Sequence, residues 1–349
     1  MRPSLILILT VFLSLPLAAQ QTGSVPAAAS KQPDEQLDIR FLSKTEARKA
    51  MTEGVERAYF AHLQIPEMRA KTGLPMNGIS VDEAREKTRQ HYAAQVQEFT
   101  ADERAALQGV LSRLRPLLQD KAPLFARTPW IFLKISANVE GGLPHTRGDA
   151  IVLSSPLLRS FVQQHLRGDF RELDSFAANM LVHEQTHVVE RRRPALFYGL
   201  FTEVFGFKRL QPAPVDSWLQ EHGVVNPDAP DCGWAYPVKG ASQTRWVMPY
   251  LVLQNTQTPH MPQDFLMIGV TVEHKGSLWS VVEDKGVPEQ GPLSGIAGYA
   301  AAFPNEDEFY HPHEIAADLI AHWIAGNGGG DLNHSLRAKI ANWGRDKLR

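Results

Sequence analysis

The chain has 349 residues, with 36 Lys and Arg against 38 Asp and Glu, a net charge of −2 with neutral His. That balance lacks the basic footprint of a general nucleic-acid binder, and 43% hydrophobic residues exclude wholesale disorder. A single Cys, Cys232, excludes an internal disulfide and a Cys-rich zinc module; with 13 His, any transition metal must be held by nitrogen and carboxylate ligands.

The first residues read as a leader, not as part of the fold. Arg2 gives a positive start, residues 5–15 are almost wholly apolar, and 16–19 end in small side chains. This is the pattern of a secretory signal peptide over 1–19, cleaved after Ala19. The run is too short to span a membrane, and no later one reaches the roughly 18 apolar residues required. A secreted or periplasmic protein is expected, without stable membrane insertion once the leader is gone. Residues 20–38, rich in Gln, Ser, Ala and Pro, read as a disordered tether. In an exporting compartment Cys232 is expected to be buried as a small hydrophobe.

Residues 39–349 read as one domain. Helical spacing predicts helices over 45–63, 81–99 and 102–118, the last two opened by the capping boxes Ser80/Glu83 and Thr100/Glu103. Pro66, Pro75 and Pro123 mark breaks. Residues 39–125 thus form a helical N-terminal layer. No dibasic or linker-like boundary marks it as a removable pro-segment, so it is read as a permanent wall. In 126–349, WIFLKIS over 130–136 and AIVLS over 150–154 read as strands. A long helix is predicted over 169–192 and an aromatic-rich one from 195 to about 208. The Pro- and Trp-rich stretch 211–262 reads as a long decorated loop. Residues 265–273 and 278–283 read as a hairpin through Lys275-Gly276. Pro312 opens a helix to about 325, and a last helix covers 332–348 after a Gly-rich break. Helices dominate over a few short strands, so the class is α+β.

The 169–192 helix contains His183-Glu184-Gln185-Thr186-His187, an H-E-x-x-H pattern. Residues four apart on a helix share a face, so both imidazoles can reach one metal ion. Zinc lowers the pKa of its water to about 7, and a carboxylate beside it, Glu184, can take the proton during attack on a carbonyl. Leu173, Phe176, Ala177, Met180 and Leu181 form an apolar stripe that continues onto the motif. The plain alternative is a pair of core histidines beside a Glu salt-bridged to Arg191. A third protein ligand is required. A His six residues after His187 would complete a compact site, but Arg193 stands there. Farther on, Glu314 and Asp318 share a face of the 312–325 helix.

His183-Glu184-x-x-His187 with Glu314-x-x-Ala317-Asp318 on a later helix resembles the gluzincin zinc metallopeptidases, the thermolysin- and neprilysin-like group. The resemblance implies a zincin-like domain with a short mixed sheet, one Zn2+, and Glu314 as its third ligand. It implies Asp318 as the carboxylate that fixes the His183 ring. It also implies that Ala150–Ser154 is an edge strand pairing with extended substrate. For the developing oxyanion it implies a Tyr or His; Tyr299, Tyr310, His311 and His322 are all available, and His311 and Tyr310, just before the ligand helix, are favoured. The sequence departs from the family in the long gap between His187 and Glu314 and in having His313 directly before Glu314. His311 or His313 therefore stands as an alternative third ligand.

These readings converge on a secreted zinc metallopeptidase acting on a peptide or protein substrate, with Glu184 as general base to a zinc-activated water. Two alternatives remain open. One is a non-catalytic zinc-stabilised binding protein, whose fourth coordination position His311 or His313 would close. The other is a zinc hydrolase of a non-protein amide such as a cell-wall cross-link.

Overall fold

A computed structural model of the chain describes residues 36–349, apart from 55, 231–232, 241–243, 277, 305–309 and 327–333. The expected leader, the tether up to residue 35 and Cys232 lie outside the described residues. Helices dominate and the sheets are small, as the sequence pattern predicts. Among the described residues no helix is long and apolar enough to cross a membrane.

The chain enters as β1 (Ile39–Phe41) and then builds four helices. These are α1 (Lys44–Thr52), α2 (Glu56–His62), α3 (Ile65–Thr72) and α4 (Val81–Gln95). The Ser80/Glu83 capping box of α4 is formed. The predicted 45–63 helix divides near Gly54, whose φ of +62° suits glycine. Pro66 and Pro123 begin helices instead of ending them: each lies in a first turn, where its missing N–H has no partner to lose. β2 (Val96–Gln97) leads to α5 (Ala101–Lys121), with the Thr100/Glu103 box formed, and to α6 (Pro123–Arg127).

β3 (Trp130–Ile135), β4 (His145–Arg147) and β5 (Ala150–Ser154) complete a mixed sheet ordered β1-β3-β5-β4. β1, β3 and β5 are parallel and β4 is antiparallel. On one face Leu133, Ile135 and Val152 pack against Met51, Phe60 and Tyr92 of the helical layer. On the other, Trp130, Phe132, Ile151 and Leu153 pack against Leu107, Leu181 and Ile320. Burial on both faces is why these strands read as unbroken apolar runs.

One expectation is overturned here. Ala150–Ser154 is not an edge strand: residues 136–149 fold back and lay β4 along it. The edge is β4, and its outward amide and carbonyl at Thr146 are taken. The Thr146 N–H donates to Asp228 Oδ1, and its C=O accepts from Arg191 Nη2 at 3.3 Å.

α7 (Ser155–Arg167) follows, then the motif helix α8 (Phe170–Arg192) and α9 (Pro194–Gly199). α9 widens into one π-type turn and stops before Gly206, short of residue 208. Beyond it the loop reading of 211–262 is wrong. The stretch holds α10 (Ser217–His222) and much of a second, antiparallel sheet. β6 (Lys208–Arg209), β7 (Trp234–Lys239), β8 (Thr244–Leu253), β9 (Phe265–Lys275) and β10 (Leu278–Val281) lie in the order β10-β9-β8-β7-β6. Pro237 and Pro249 argue against strands in the sequence. Pro249 is accommodated because β7 accompanies β8 only over 244–247. The predicted hairpin through Lys275-Gly276 forms as β9 and β10. α11 (Ala297–Ala302), α12 (Pro312–Ala325) and α13 (His334–Lys347) close the chain.

Candidate metal centre

The centre forms where α8 and α12 lie side by side. Ala177 on α8 and Ala316 and Ala317 on α12 are fully buried, and small side chains let the two axes approach. Pro312 starts α12, so Glu314 falls in its first turn, a favourable place for a carboxylate. His183 Nε2 lies 3.2 Å from Glu314 Oε2 and 3.3 Å from His187 Nε2. His187 Nε2 lies 3.7 Å from Glu314 Oε2. Four donors about 2.0–2.2 Å from a central ion sit about 3.3–3.6 Å apart in a tetrahedron. The three atoms could therefore hold a metal ion, and two imidazole nitrogens with one carboxylate oxygen are a fitting set for zinc. Burial alone would raise the Glu314 carboxyl, but the His187 and His183 rings beside it hold it well below the ordinary range.

The centre opens into a cavity of about 560 Å³. Glu184 lines it with its carboxyl buried. Burial first, then the Asp228 charge, push that carboxyl well above the ordinary range. Glu184 is held from β4: the Thr146 hydroxyl lies 2.9 Å from Glu184 Oε2. The plain alternative of a Glu184–Arg191 ion pair does not form. Arg191 instead donates to the carbonyls of Gly148 and Pro227, clamping α8 to the edge strand and the cavity wall.

The candidates around Glu314 separate. Tyr310 lines the cavity, and its hydroxyl oxygen accepts from Asn226 Nδ2 at 2.6 Å. Asp318 lines it one turn after Glu314, with Oδ1 3.3 Å from His322 Nδ1. His311 is the N-cap residue of α12 and is not part of the cavity wall. Its ring stacks on His313 with centroids 4.8 Å apart. His313 Nδ1 pairs with Glu190, whose other oxygen is 3.9 Å from His187 Nδ1. Neither His311 nor His313 belongs to the donor cluster found among the described residues. In the apolar stripe, Leu173, Ala177 and Leu181 are core, whereas Phe176 is 49% exposed on the cavity wall.

The sequence reading missed a second layer of residues on the 224–228 loop. Asn226 Nδ2 donates to Glu314 Oε1 at 2.8 Å, leaving Oε2 toward the two histidines. Asn226 Oδ1 accepts from the Asp228 N–H at 2.9 Å, and Asp228 holds Thr146. The one available signal was the turn-forming Asn-Pro-Asp run inside a stretch read as loop. Comparison with protein-family models, curated proteins and solved structures gave no match.

Proposed function

We propose that the chain is a zinc metallopeptidase with a zincin-like domain, hydrolysing peptide bonds in a peptide or protein substrate. The observation that carries this reading is the triangle of His183 Nε2, His187 Nε2 and Glu314 Oε2, with the Glu184 carboxyl in the same cavity. When bound, Zn2+ supplies Lewis-acid polarisation and a lowered pKa for water. His183, His187 and Glu314 hold it, and Asn226 keeps the Glu314 carboxylate oriented.

Glu184 takes a proton from the attacking water and passes it to the leaving amine. The Thr146 hydroxyl fixes the carboxylate during that transfer. Tyr310 donates to the developing oxyanion in this reading: of the two favoured candidates it lines the cavity and His311 does not, and the other cavity-lining candidate, His322, lies about two turns past Glu314 along α12 with its Nδ1 3.3 Å from Asp318. Asp318, in the cavity wall on the same helix as Glu314, restrains the ring of His183. Substrate lies in the cavity without strand pairing at Thr146, whose outward groups are already taken. The positive start and apolar run of residues 2–15 support export.

The binding-protein reading needs a fourth protein donor. The donor group among the described residues has three members, which favours the enzyme. Glu184→Gln tests the proposal. It is expected to keep stoichiometric Zn2+ while hydrolysis of a peptide library, read by mass spectrometry, falls about 10²–10⁴-fold. Unchanged hydrolysis in that variant, or none by the zinc-loaded wild type, overturns it.

A further inference from the structure

A peptide that enters the cavity loses water from its own N–H and C=O groups, and these need new partners. The edge strand does not supply them at Thr146, whose outward amide and carbonyl are already taken. Side chains of the wall can do so instead. A side-chain amide is the natural complement of a peptide unit, since it carries both a donor and an acceptor. Two such amides line the cavity, Asn179 and Asn226. Asn226 is already engaged with Glu314, Tyr310 and the Asp228 N–H. Asn179 is half-buried and makes no hydrogen bond to any described residue. The metal centre makes no use of it.

The place of Asn179 on α8 gives the cavity a direction. Asn179 stands one turn before His183, and Phe176 stands nearly one turn before Asn179. All three line the cavity, so they share one side of the helix. At about 1.5 Å of rise per residue, Asn179 lies about 6 Å and Phe176 about 10 Å along the axis from the metal ligand. An extended peptide advances about 3.3–3.6 Å per residue, so these offsets correspond to about two and three residues from the scissile bond. Phe176 is 49% exposed, although Leu173, Ala177 and Leu181 of the same stripe are core. Its ring rests edge-on against Phe161, with centroids 6.2 Å apart, and the rest of it is open. A large aromatic left open in a cavity wall is a place for an apolar group of a ligand.

We propose that α8 is itself a platform for the substrate main chain. Asn179 pairs with the N–H and C=O of one extended residue about two positions from the scissile bond, and Phe176 packs on an apolar side chain one position farther out. The Asn179 Nδ2 donates to the peptide carbonyl, and its Oδ1 accepts from the peptide N–H. An extended residue turns both groups to the same side, so one side-chain amide serves both. This contact belongs to the peptidase reading and rests on it. Neither residue touches the reacting atoms, so both act on peptide affinity and KM more than on kcat.

The probe is the library peptide that the zinc-loaded wild type cleaves fastest, made as a series with one backbone N-methyl group at each position in turn. Each methyl group removes one N–H. In the wild type, methylation two positions from the scissile bond, on one side of it, is expected to raise KM about tenfold. Asn179→Ala is expected to raise KM for the parent peptide by about the same factor with kcat within about twofold. In that variant, methylation at the same position should cost almost nothing further. Alanine is the strongest helix former and the site is half-buried, so α8 survives the change. The wild-type methyl scan stands without the variant in any case. Phe176→Ala is expected to erase a roughly fivefold preference for Leu over Ser three positions from the bond. A scan that is flat two positions from the bond on both sides overturns the inference. So does a penalty undiminished in Asn179→Ala, or a Leu–Ser selectivity unchanged in Phe176→Ala. In each of these cases cleavage itself leaves the peptidase reading intact. If no library peptide is cleaved, the peptidase reading falls and this contact with it.

Discussion

Replacing Asn226 by Ala is expected to weaken Zn2+ binding although Asn226 supplies no donor atom. Its Nδ2 donates to Glu314 Oε1 at 2.8 Å and to the Tyr310 hydroxyl oxygen at 2.6 Å, and its Oδ1 accepts from the Asp228 N–H at 2.9 Å. A hydrogen bond to a carboxylate contributes about 1.5–3 kcal/mol. Part of that is present with or without metal and cancels from the affinity. What the variant loses on binding is orientation, because Oε2 is no longer held 3.2 Å from His183 Nε2 and 3.7 Å from His187 Nε2. Retaining roughly half to nearly all of the bond's worth gives a 10–100-fold loss of affinity, the range typical of residues that support a metal ligand. The assay is competition against a chromophoric chelator at fixed pH, with far-UV dichroism to confirm folding. Glu314→Gln serves as the reference and is expected to lose more. An Asn226→Ala protein that folds normally and binds Zn2+ within about twofold of wild type would refute the reasoning, since ligand support costs at least about tenfold.

Two further outcomes follow from burial and packing. Glu140 is fully buried; that burial alone would raise its carboxyl, but Lys71, His145 and Arg147 bring it down to about 2. A depressed carboxyl stabilises the fold above its unfolded value and loses that contribution as pH falls toward the folded one. The stability gap between wild type and Glu140→Gln is therefore expected to narrow by about 1.4 kcal/mol per pH unit between about pH 4 and pH 3, read by urea unfolding; parallel curves would contradict it. Gly344 faces Trp323, and a Cβ there would lie 2.3 Å from the ring. Gly344→Ala is expected to destabilise by about 1–3 kcal/mol as α13 is pushed off α12; an unchanged urea midpoint would show that the ring yields freely.

How much of this was written in the sequence depended on the range of the interactions. Capping boxes are local, so Ser80/Glu83 and Thr100/Glu103 placed two helix starts correctly. The i, i+4 spacing of His183 and His187 is local too, and it put both rings on one side of α8. Glu314 was reachable because helix periodicity and Pro312 together fixed its turn of α12. The failures came where long-range pairing decides. Nothing near Ala150 says that β4 will cover it, since that depends on a fold-back spanning 136–149. Pro249 hid β8 because a proline's cost in a strand depends on which neighbours the strand has. Asn226 and Asp228 carried no pattern of their own, since their roles exist only once Glu314 and Thr146 are delivered from elsewhere.

The 224–228 segment also bears on why the helical layer belongs to the domain. The Val224 N–H donates to the Leu251 carbonyl on β8. The Val225 N–H donates to Glu67 Oε1 at 2.7 Å, and its carbonyl accepts from Lys71, both on α3. The next residues hold Glu314 and Thr146. One short segment therefore joins the second sheet, the helical layer, the candidate ligand Glu314 and the edge strand. If α3 positions Asn226 through this segment, Glu67→Ala should weaken Zn2+ binding from a residue that supplies no ligand. It should also do so through Asn226. In a double-mutant cycle, Glu67→Ala is expected to cost about 1 kcal/mol of metal affinity in the wild-type background and close to nothing once Asn226 is Ala. Equal losses in both backgrounds would mean that α3 acts by general stability alone. The layer would then be packing and not part of the site's support.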